Sequence, residues 1–295
     1  MASNNRSHLA DHSVSRRTAI IAGNGLLPIE VAKSLAASGN APFIFALRGE
    51  AAPELYQFEH QEVSIVEFAK FIKTMKAHNI AQVILAGGVL NRPHLTDLRF
   101  DMPTLRALPK VIGALGKGDD ALLRAFIRLL EGYDIKVIGA HEIVPDLLSP
   151  APAQSLTVAR PDKREQHNIG LGAEAARLLG DLDVGQGGVA VGGRVVALEG
   201  AEGTDLMLVR VAELRAAGRI PPRGGVLVKC AKPSQEERAD LPAIGIMTVI
   251  NADKAGLAGI AVEAGRSFVL GYHETITEAN KRGLFIETFV RTPVE

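Results

Sequence analysis

The first half of the sequence alternates short apolar runs with glycine turns and helix-forming stretches, and this alternation restricts the fold more than any other feature. Residues 18–22 run directly into Gly23-Asn24-Gly25 and then into a stretch whose apolar residues recur at helical spacing. Residues 82–86 run into Gly87-Gly88 in the same way. Buried strands that alternate with amphipathic helices build a parallel sheet covered on both faces. We therefore predict an α/β protein with a Rossmann-like N-terminal domain.

Further elements extend this pattern to residue 148. Pro28 suits the first turn of a helix, where its missing N–H is no loss. Asp119 and Asp120 either ligate a metal or cap the helix after them, and capping is favoured because an apolar period follows. The predicted strands are 18–22, 43–47, 82–86 and 135–138, and the predicted helices are one that starts near Pro28, 67–77, 104–112 and 119–130.

A proline-rich stretch divides the chain into two predicted domains. Residues 149–157 are predicted to be a stiff linker between a domain of residues 16–148 and a domain of residues 158–295. Residues 1–15 are polar and aperiodic and are predicted to be a disordered tail. The second half shows no regular strand–helix–strand order, so we predict a smaller, mixed α+β domain. Its predicted elements are helices 163–179, 206–216, 255–258 and 276–282, strands 226–228 and 247–251, a hairpin over 188–198, and a hairpin that joins 260–264 to 267–270.

Composition and charge exclude several classes of function. The 295 residues include 33 basic and 33 acidic residues, no Trp and 4% aromatic residues, so neither a cationic nucleic-acid surface nor an aromatic stacking platform is expected. Cys230 is the single cysteine, which excludes an internal disulfide and a multi-thiolate metal site. The apolar run after Arg16-Arg17 is too short for an export signal, and no stretch reaches transmembrane length. We expect a cytoplasmic protein.

The densest group of polar side chains follows the predicted strand 226–228. Lys229, Lys232, Gln235, Arg238 and Asp240 lie in one short stretch that contains a proline and ends at another. Cations beside a carboxylate suit a phosphorylated ligand, with the acid available to bind a metal or orient water. All five are candidate catalytic residues, and we expect the cations to lower the pKa of Asp240. The alternative is a solvated loop in which Asp240 only pairs with Arg238 at the surface.

An acidic segment spaced by glycines follows the hairpin predicted over residues 188–198. Glu199, Glu202 and Asp205 precede the predicted helix 206–216. Carboxylate oxygens from such a loop suit Mg²⁺, so these three acids and Asp240 are the candidate metal ligands. Thr204 and Asp205 have an alternative role as helix caps, and for either residue alone that role is favoured.

Glycine turns at strand ends are the candidate ligand-binding positions of the first domain. A strand, a glycine turn and a helix present backbone N–H groups to a phosphate, at the edge where open α/β sheets bind ligands. The turn after residue 22 lacks the third glycine of the dinucleotide fingerprint, so a structural turn is equally open. His273 is either an acid–base group or a hydrogen-bonding residue near a helix start. The candidate substrate contacts are Gly23, Asn24, Gly25, Leu26, Pro28, Gly87, Gly88, Thr204 and His273, with His141 and Glu142 as further candidates for the cleft.

A series of segments, taken in order, resembles one enzyme family: the UDP-2,3-diacylglucosamine pyrophosphatases of lipid A biosynthesis that lack a metallophosphatase signature. The segments extend from Ile20 to Asn280, nearly the whole chain, and the series is quite specific. They are IIAGNGLLPIEVA, VILAGGV, DLRFDMPTL, GDDALLR, GAHEIVPDLL, VALEGAEGTD, VKCAKPSQEERADLPAIG and AGRSFVLGYHETITEAN.

The resemblance implies Mg²⁺-dependent hydrolysis of UDP-2,3-diacylglucosamine to UMP and 2,3-diacylglucosamine 1-phosphate, with water attacking the phosphorus on the sugar side. It also implies that the N-terminal domain holds the UDP part, that the C-terminal domain takes the acylated sugar, and that the two close on each other. The essential aspartate of the family's R-x-D-L-P segment falls on Asp240. A lipid substrate further implies transient contact with the inner membrane surface; a homodimer is left open.

Two other functions remain open on the sequence. A non-catalytic nucleotide-sugar binding or regulatory protein would use the same glycine turns but would need neither an acid at position 240 nor a metal. A nicotinamide-dependent oxidoreductase would require an acid after the second strand, where Arg48 comes before Glu50. Hydrolysis of the UDP-lipid is the favoured prediction.

Overall fold

A computed structural model describes residues 17–65, 67–89, 119–233 and 235–290. The predicted tail 1–15, residues 91–93 after the third predicted strand, and the predicted helix 104–112 lie outside the described residues. The described residues form two five-stranded sheets and one two-stranded sheet with helices against them, which confirms the predicted fold class.

The N-terminal sheet is entirely parallel, with the strand order β3-β2-β1-β4-β5. Its strands are β1 (Arg17–Ala22), β2 (Phe43–Leu47), β3 (His60–Val63), β4 (Ile80–Ala86) and β5 (Lys136–Ile138). The helices of this half are α1 (Leu27–Ala37), α2 (Phe68–Ala77), α3 (Asp119–Glu131) and the short α4 (Ala140–Ile143), and 3₁₀ turns cover Pro53–Gln57 and Pro145–Leu147.

Both faces of this sheet are buried, because successive strand residues alternate between two cores. Ile21 and Phe45 belong to a core under α2 and α3, whereas Ile20 and Ile44 belong to a core under α1. Strands buried on both sides have continuous apolar runs, which is why the sequence identified β1, β2, β4 and β5. Strand β3 was missed because its sequence, HQEV, buries only Val63 at the edge of the sheet.

The C-terminal half has a mixed sheet with the order β12-β10-β8-β6-β7. Only the β6–β7 and β6–β8 pairs are antiparallel. The strands are β6 (Gly187–Val191), β7 (Arg194–Leu198), β8 (Val226–Lys229), β10 (Gly259–Glu263) and β12 (Phe285–Phe289), and β9 (Ala243–Ile244) pairs separately with β11 (Phe268–Val269). The helices are α5 (Lys163–Asp181), α6 (Gly203–Ala216), α7 (Ile246–Lys254) and α8 (Tyr272–Arg282).

Several predictions for this half need correction. The hairpin over 188–198 is confirmed, with Gly192 and Gly193 both at positive φ. Residues 247–251, predicted as a strand, lie in α7, and residues 255–258, predicted as a helix, follow its end. The second predicted hairpin is wrong, since β10 pairs with β8 and β12 while β11 pairs with β9. Helices α7 and α8 connect parallel strands, so strand–helix–strand units do occur here.

The two halves meet through the small β9–β11 sheet. Phe268 of β11 is buried in the core under α1, and Leu241 and Leu270 pack against that core. The segment predicted as a linker is tied to the C-terminal half, because Leu156 N donates to Ile286 O at 2.8 Å and Ser149 N donates to Ser267 O at 2.7 Å. Among the described residues, none of the helices is long and apolar enough to cross a bilayer.

Candidate active site

The loop that joins β8 to β9, residues 230–242 and hereafter the Asp240 loop, is folded around the buried side chain of Gln235. Gln235 Oε1 accepts a hydrogen bond from Lys232 N at 2.7 Å, and Gln235 Nε2 donates to Asp240 Oδ2 at 2.6 Å and to Gln186 Oε1 at 3.2 Å. The side-chain amide of Gln235 therefore connects Lys232 and Asp240, near the two ends of the loop, to Gln186, which directly precedes β6. The structure brings Lys232, Gln235 and Asp240 together, as the sequence predicts.

Asp240 lies between two residues that contact opposite faces of the N-terminal sheet. Ala239 packs against the core under α2 and α3, and Leu241 packs against the core under α1. The backbone N–H of Asp240 donates to Glu236 O at 3.1 Å. Both flanking side chains are thus held by the N-terminal half, which places the carboxylate where the two halves meet.

The electrostatics of Asp240 differ from the prediction. Burial raises the pKa of Asp240, and Asp120 adds to this, while Lys232, the hydrogen bond from Gln235 and Lys229 act in the opposite direction without reversing it. The predicted lowering of the Asp240 pKa is therefore wrong. Removal of the carboxylate from water outweighs the nearby cations.

Arg238 does not contact Asp240. Its guanidinium forms a paired contact with Glu236, at 2.7 and 2.9 Å, and NH1 lies 2.6 Å from Glu131 Oε1 of α3. These two glutamates raise the pKa of Arg238. The alternative in which Asp240 is a surface partner of Arg238 is contradicted, and Arg238 is held against the N-terminal half.

Lys229, Thr204 and Glu199 form a second buried cluster, where the mixed sheet meets α6. Lys229 Nζ donates to Thr204 Oγ1 at 2.8 Å and to Ala243 O at 3.3 Å, and Thr204 Oγ1 donates to Glu199 Oε1 at 2.5 Å. Glu199 and Lys229 are only 7% and 6% exposed, and Glu199 Oε2 has no hydrogen-bond partner among the described residues. A buried carboxylate oxygen without a hydrogen-bond partner is energetically costly.

The capping roles predicted for Thr204 and Asp205 are wrong. Helix α6 begins at Gly203, three residues earlier than predicted, so Thr204 lies inside the helix and Glu202 is the capping position. Glu202 Oε1 lies 2.6 Å from Arg210 NH2, and Asp205 Oδ1 accepts from Asn251 Nδ2 at 2.9 Å. Glu202 and Asp205 thus turn to other partners, and no group of three potential metal-ligating side chains occurs within the described ranges.

Two acids that the sequence did not place near the Asp240 loop complete its surroundings. Asp183 Oδ1 lies 2.5 Å from Lys232 Nζ, and Asp120 Oδ1 accepts from Glu236 N at 3.2 Å. Burial alone would lower the pKa of Lys232, but its bond to Asp183 and the carboxylates of Asp183, Asp240 and Asp120 raise it. Asp120 therefore connects α3 to the Asp240 loop, and within α3 it also pairs with Arg124. Asp183 left only a weak sequence feature, an acid in a helix-ending turn.

Residues 23–26 and 87–88, hereafter the glycine corner, lie where β1 and β4 end side by side. The strand order changes direction between these strands, which is where open α/β sheets bind ligands. Gly23 N donates to Ala86 O at 2.9 Å, and Asn24 and Gly88 exchange backbone bonds of 2.9 and 3.1 Å. A Cβ at Gly23 would lie 2.1 Å from Gly88 O, so the two turns touch.

This packing limits the predicted phosphate cradle. The N–H groups of Gly23 and Asn24 are already used inside the protein. Gly25 and Leu26 are exposed, Gly25 has φ +95°, and a Cβ there meets no described atom within 4 Å. Pro28 is buried in the first turn of α1, as predicted. The open side of the corner is therefore at Gly25 and Leu26.

The histidine candidates lie elsewhere. His273 is exposed in the first turn of α8, which begins four residues earlier than predicted, and within the described part of the chain its side chain makes no hydrogen bond to the Asp240 loop. His141 lies against the backbone of Gly139, and its buried Nδ1 has no hydrogen-bond partner among the residues described. Near α8, Glu30 Oε1 accepts from Gly271 N at 3.0 Å and links α1 to the C-terminal half.

Comparison with known proteins points to one family over nearly the whole chain. The model of the LpxI N-terminal domain matches residues 17–147, and the model of the LpxI C-terminal domain matches residues 152–287. The UDP-2,3-diacylglucosamine pyrophosphatase LpxI of Caulobacter vibrioides is 41% identical over 273 residues, which cover 92% of this chain and 96% of that protein. Both clusters around Asp240 and Glu199 lie within the matched C-terminal range.

Proposed function

The chain belongs to the LpxI family, and on this premise we propose that it hydrolyses the phosphoric anhydride of UDP-2,3-diacylglucosamine as a step of lipid A biosynthesis. The products would be UMP and 2,3-diacylglucosamine 1-phosphate. The observation that carries the proposal is the placement of Asp240, a partly buried carboxylate flanked by Lys232 and Gln235 where the two halves meet.

The proposed reaction is a single displacement by water. The water oxygen bonds to the phosphorus on the sugar side, the bond from that phosphorus to the bridging oxygen breaks, and the bridging oxygen leaves with UMP. Asp240 accepts a proton from the water, a role that its raised pKa supports because a more basic carboxylate is a better proton acceptor. Gln235 holds the carboxylate oxygen through its 2.6 Å hydrogen bond.

Two lysines are the proposed partners of the diphosphate. Phosphoryl transfer depends on neutralising charge and holding the reacting groups in line. Lys229 is oriented by Thr204 and by Ala243 O, and Lys232 by Asp183. Arg238 contributes to docking of the halves, because its guanidinium binds Glu131 of α3 as well as Glu236 of its own loop.

Mg²⁺ is proposed as the cofactor, with Asp240 and Glu199 as its protein ligands. Glu199 fits this role because Oε2 is buried and has no partner among the described residues, and carboxylate oxygen is the ligand that Mg²⁺ prefers. When bound, the ion would neutralise charge on the diphosphate. We expect activity to disappear in EDTA and to return with excess Mg²⁺; full turnover after exhaustive chelation would contradict the proposal.

An exposed apolar surface on the C-terminal half is the proposed place of the acyl chains. Leu206 and Val209 of α6 are 60% and 52% exposed, and Met247 at the start of α7 is 58% exposed. Asp205 and Asn251 join these two helices. Contiguous exposed apolar surface commonly marks an interaction site, and Leu206 follows Thr204 by two residues. The same surface would contact the membrane that holds the lipid.

The test is incubation of the protein with UDP-2,3-diacylglucosamine and Mg²⁺ in ¹⁸O-water. We expect release of UMP and incorporation of the label into the sugar phosphate. Label in UMP would move the attack to the other phosphorus. Binding of UMP without any hydrolysis would indicate a non-catalytic nucleotide-sugar binding protein and would overturn the proposed function.

A further inference from the structure

Asp183 lies in the turn between α5 and β6 and is bound from both halves of the protein. Its Oδ1 lies 2.5 Å from Lys232 Nζ of the Asp240 loop, and its Oδ2 accepts from the backbone N–H of Asp120 at 3.3 Å. Asp120 belongs to the start of α3 in the N-terminal half. One carboxylate therefore bridges the N-terminal half and the loop that holds Asp240.

The backbone conformation of Asp183 is unusual and is fixed by its surroundings. Its φ of +53° lies in the left-handed region, which non-glycine residues seldom adopt and which Asp tolerates better than most. Just before it, Gly180 lies so close to Lys232 that an added Cβ would be 3.2 Å from Lys232 Cα. The end of α5 is thus fitted against Lys232, with the acid placed at the ammonium group.

A continuous chain of contacts leads from Asp183 to Asp240. Lys232 N donates to Gln235 Oε1 at 2.7 Å, and Gln235 Nε2 donates to Asp240 Oδ2 at 2.6 Å. Asp120 of the N-terminal half also binds this loop, because its Oδ1 accepts from Glu236 N at 3.2 Å. Displacement of the Lys232 backbone, which Asp183 holds through the ammonium and Gly180 through close packing, would therefore move the amide that orients Asp240.

We propose that Asp183 is a positioning residue for this active site, which holds Lys232 away from Asp240 and links the docking of the N-terminal half to the Asp240 loop. Its kinetic consequences rest on the proposed function. Without the charge of Asp183, the carboxylates of Asp240 and Asp120 are the remaining ones that act on Lys232. The ammonium then shifts toward Asp240, occupies the proton acceptor and draws Gln235 out of place.

The test compares Asp183→Asn with Asp181→Asn. Asp181 is the last residue of α5, two residues before Asp183, and it pairs with Arg177 at the surface at 2.9 Å. Within the described residues it has no bond to the Asp240 loop. We expect Asp183→Asn to lower kcat on UDP-2,3-diacylglucosamine by about 30-fold with KM nearly unchanged, since misplacing a catalytic group costs rate more than affinity. Asp181→Asn should match the wild type.

A double variant tests whether Asp183 acts through Lys232. If it does, Asp183→Asn combined with Lys232→Met should have the kcat of Lys232→Met alone, because the second change removes the contact that the first one weakens. Multiplicative losses of kcat in the double variant would overturn the coupling. Equal kinetics of Asp183→Asn and Asp181→Asn would overturn the role of Asp183 altogether.

Hydrogen exchange supplies a readout that needs no activity. The amides of Lys232 and Asp240 should exchange faster in Asp183→Asn than in Asp181→Asn, because the loop loses its anchor. If Asp183→Asn does not fold, Lys232→Met breaks the same contact from the other side and should speed exchange at Asp240. Unchanged exchange would contradict the proposal, whereas failure of the wild type to release UMP would contradict only the proposed function.

Discussion

The glycine corner and the Asp240 loop lie in different halves of the protein, and both follow the ends of buried strands, β1 and β4 in the first case and β8 in the second. In the glycine corner the backbone groups of Gly23, Asn24 and Gly88 are satisfied by one another and by β4. Near the Asp240 loop the reverse holds: burial raises the pKa of Asp240, and Glu199 Oε2 has no partner among the described residues.

This difference distinguishes a region that stabilises the fold from a region that can react. Groups that are fully hydrogen-bonded within the protein stabilise the fold and have little left for a ligand. Buried charged groups that remain unfavourable persist when something outside the fold requires them, and such groups gather at functional sites. We therefore propose that the reaction takes place at the Asp240 loop and its neighbours, and that the glycine corner holds the two turns together, with Gly25 on the side open to a ligand.

The largest effect is expected at Asp240. Asp240→Ala should fold, bind the UDP-lipid and turn over about a thousandfold more slowly, a loss of about 4 kcal/mol in transition-state stabilisation. Asp205→Ala is the matched control, because Asp205 is an exposed acid that pairs with Asn251. Single-turnover rates of both variants check this. A comparable loss in Asp205→Ala would restore Asp205 as a ligand.

A smaller loss of rate is expected at Lys229. Lys229→Met keeps the length of the buried side chain but removes the charge, so turnover should fall about a hundredfold, the size typical of losing one electrostatic contact in a transition state. Lys281→Met, at a lysine that is 75% exposed, should have no effect. Steady-state kinetics measure both. A wild-type rate in Lys229→Met would confine Lys229 to a structural role.

At the glycine corner we expect an effect on affinity alone. Gly25→Ala should weaken UMP binding roughly tenfold, or about 1.4 kcal/mol, if Gly25 faces the nucleotide. Gly39→Ala is the control, because Gly39 also has positive φ (+79°) and open space around it, so it suffers the same backbone strain. Calorimetry with UMP compares the two. Equal affinities would leave the glycine corner purely structural.

The smallest effect on rate is expected at Arg238. Arg238→Ala removes its bonds to Glu236 and Glu131 and should lower the free energy of unfolding by about 1 kcal/mol, as expected for partly exposed ion pairs. Turnover at saturating substrate should change by less than about threefold. Thermal melts and kcat check this pair of results. A loss of rate as large as in Lys229→Met would place Arg238 on the substrate.

Much of the fold was predictable because its strands are buried on both faces. Strand β2 was predicted with its observed bounds from its apolar run alone. The failures arose where the local sequence is ambiguous. The run Met247-Thr-Val-Ile-Asn251 is apolar and β-branched, which favours a strand, yet it forms α7 with Val249 and Ala252 buried at helical spacing. Tertiary packing decides such short segments.

The site was predictable only where its residues are neighbours in sequence. Gln235 and Asp240 are five residues apart and make a direct contact. Asp183 lies 49 residues before Lys232, and Asp120 lies 116 residues before Glu236, so no local pattern reveals these contacts. A count of acids likewise does not say where each side chain points. That is why Glu202 was grouped with Asp240 although it turns to Arg210.

The central claim is that Asp240 is kept ionised for the reaction although its burial disfavours the charged carboxylate. The most direct test of this claim is a thermal melt of Asp240→Asn beside the wild type. Burial raises the pKa of Asp240 in the folded protein, so folding favours the protonated carboxyl, and this stability is lost as pH rises through the folded pKa. In EDTA near neutral pH we therefore expect Asp240→Asn to have the higher Tm, with the difference shrinking in acid. A lower Tm for Asp240→Asn at neutral pH would contradict the account and make Asp240 a structural acid.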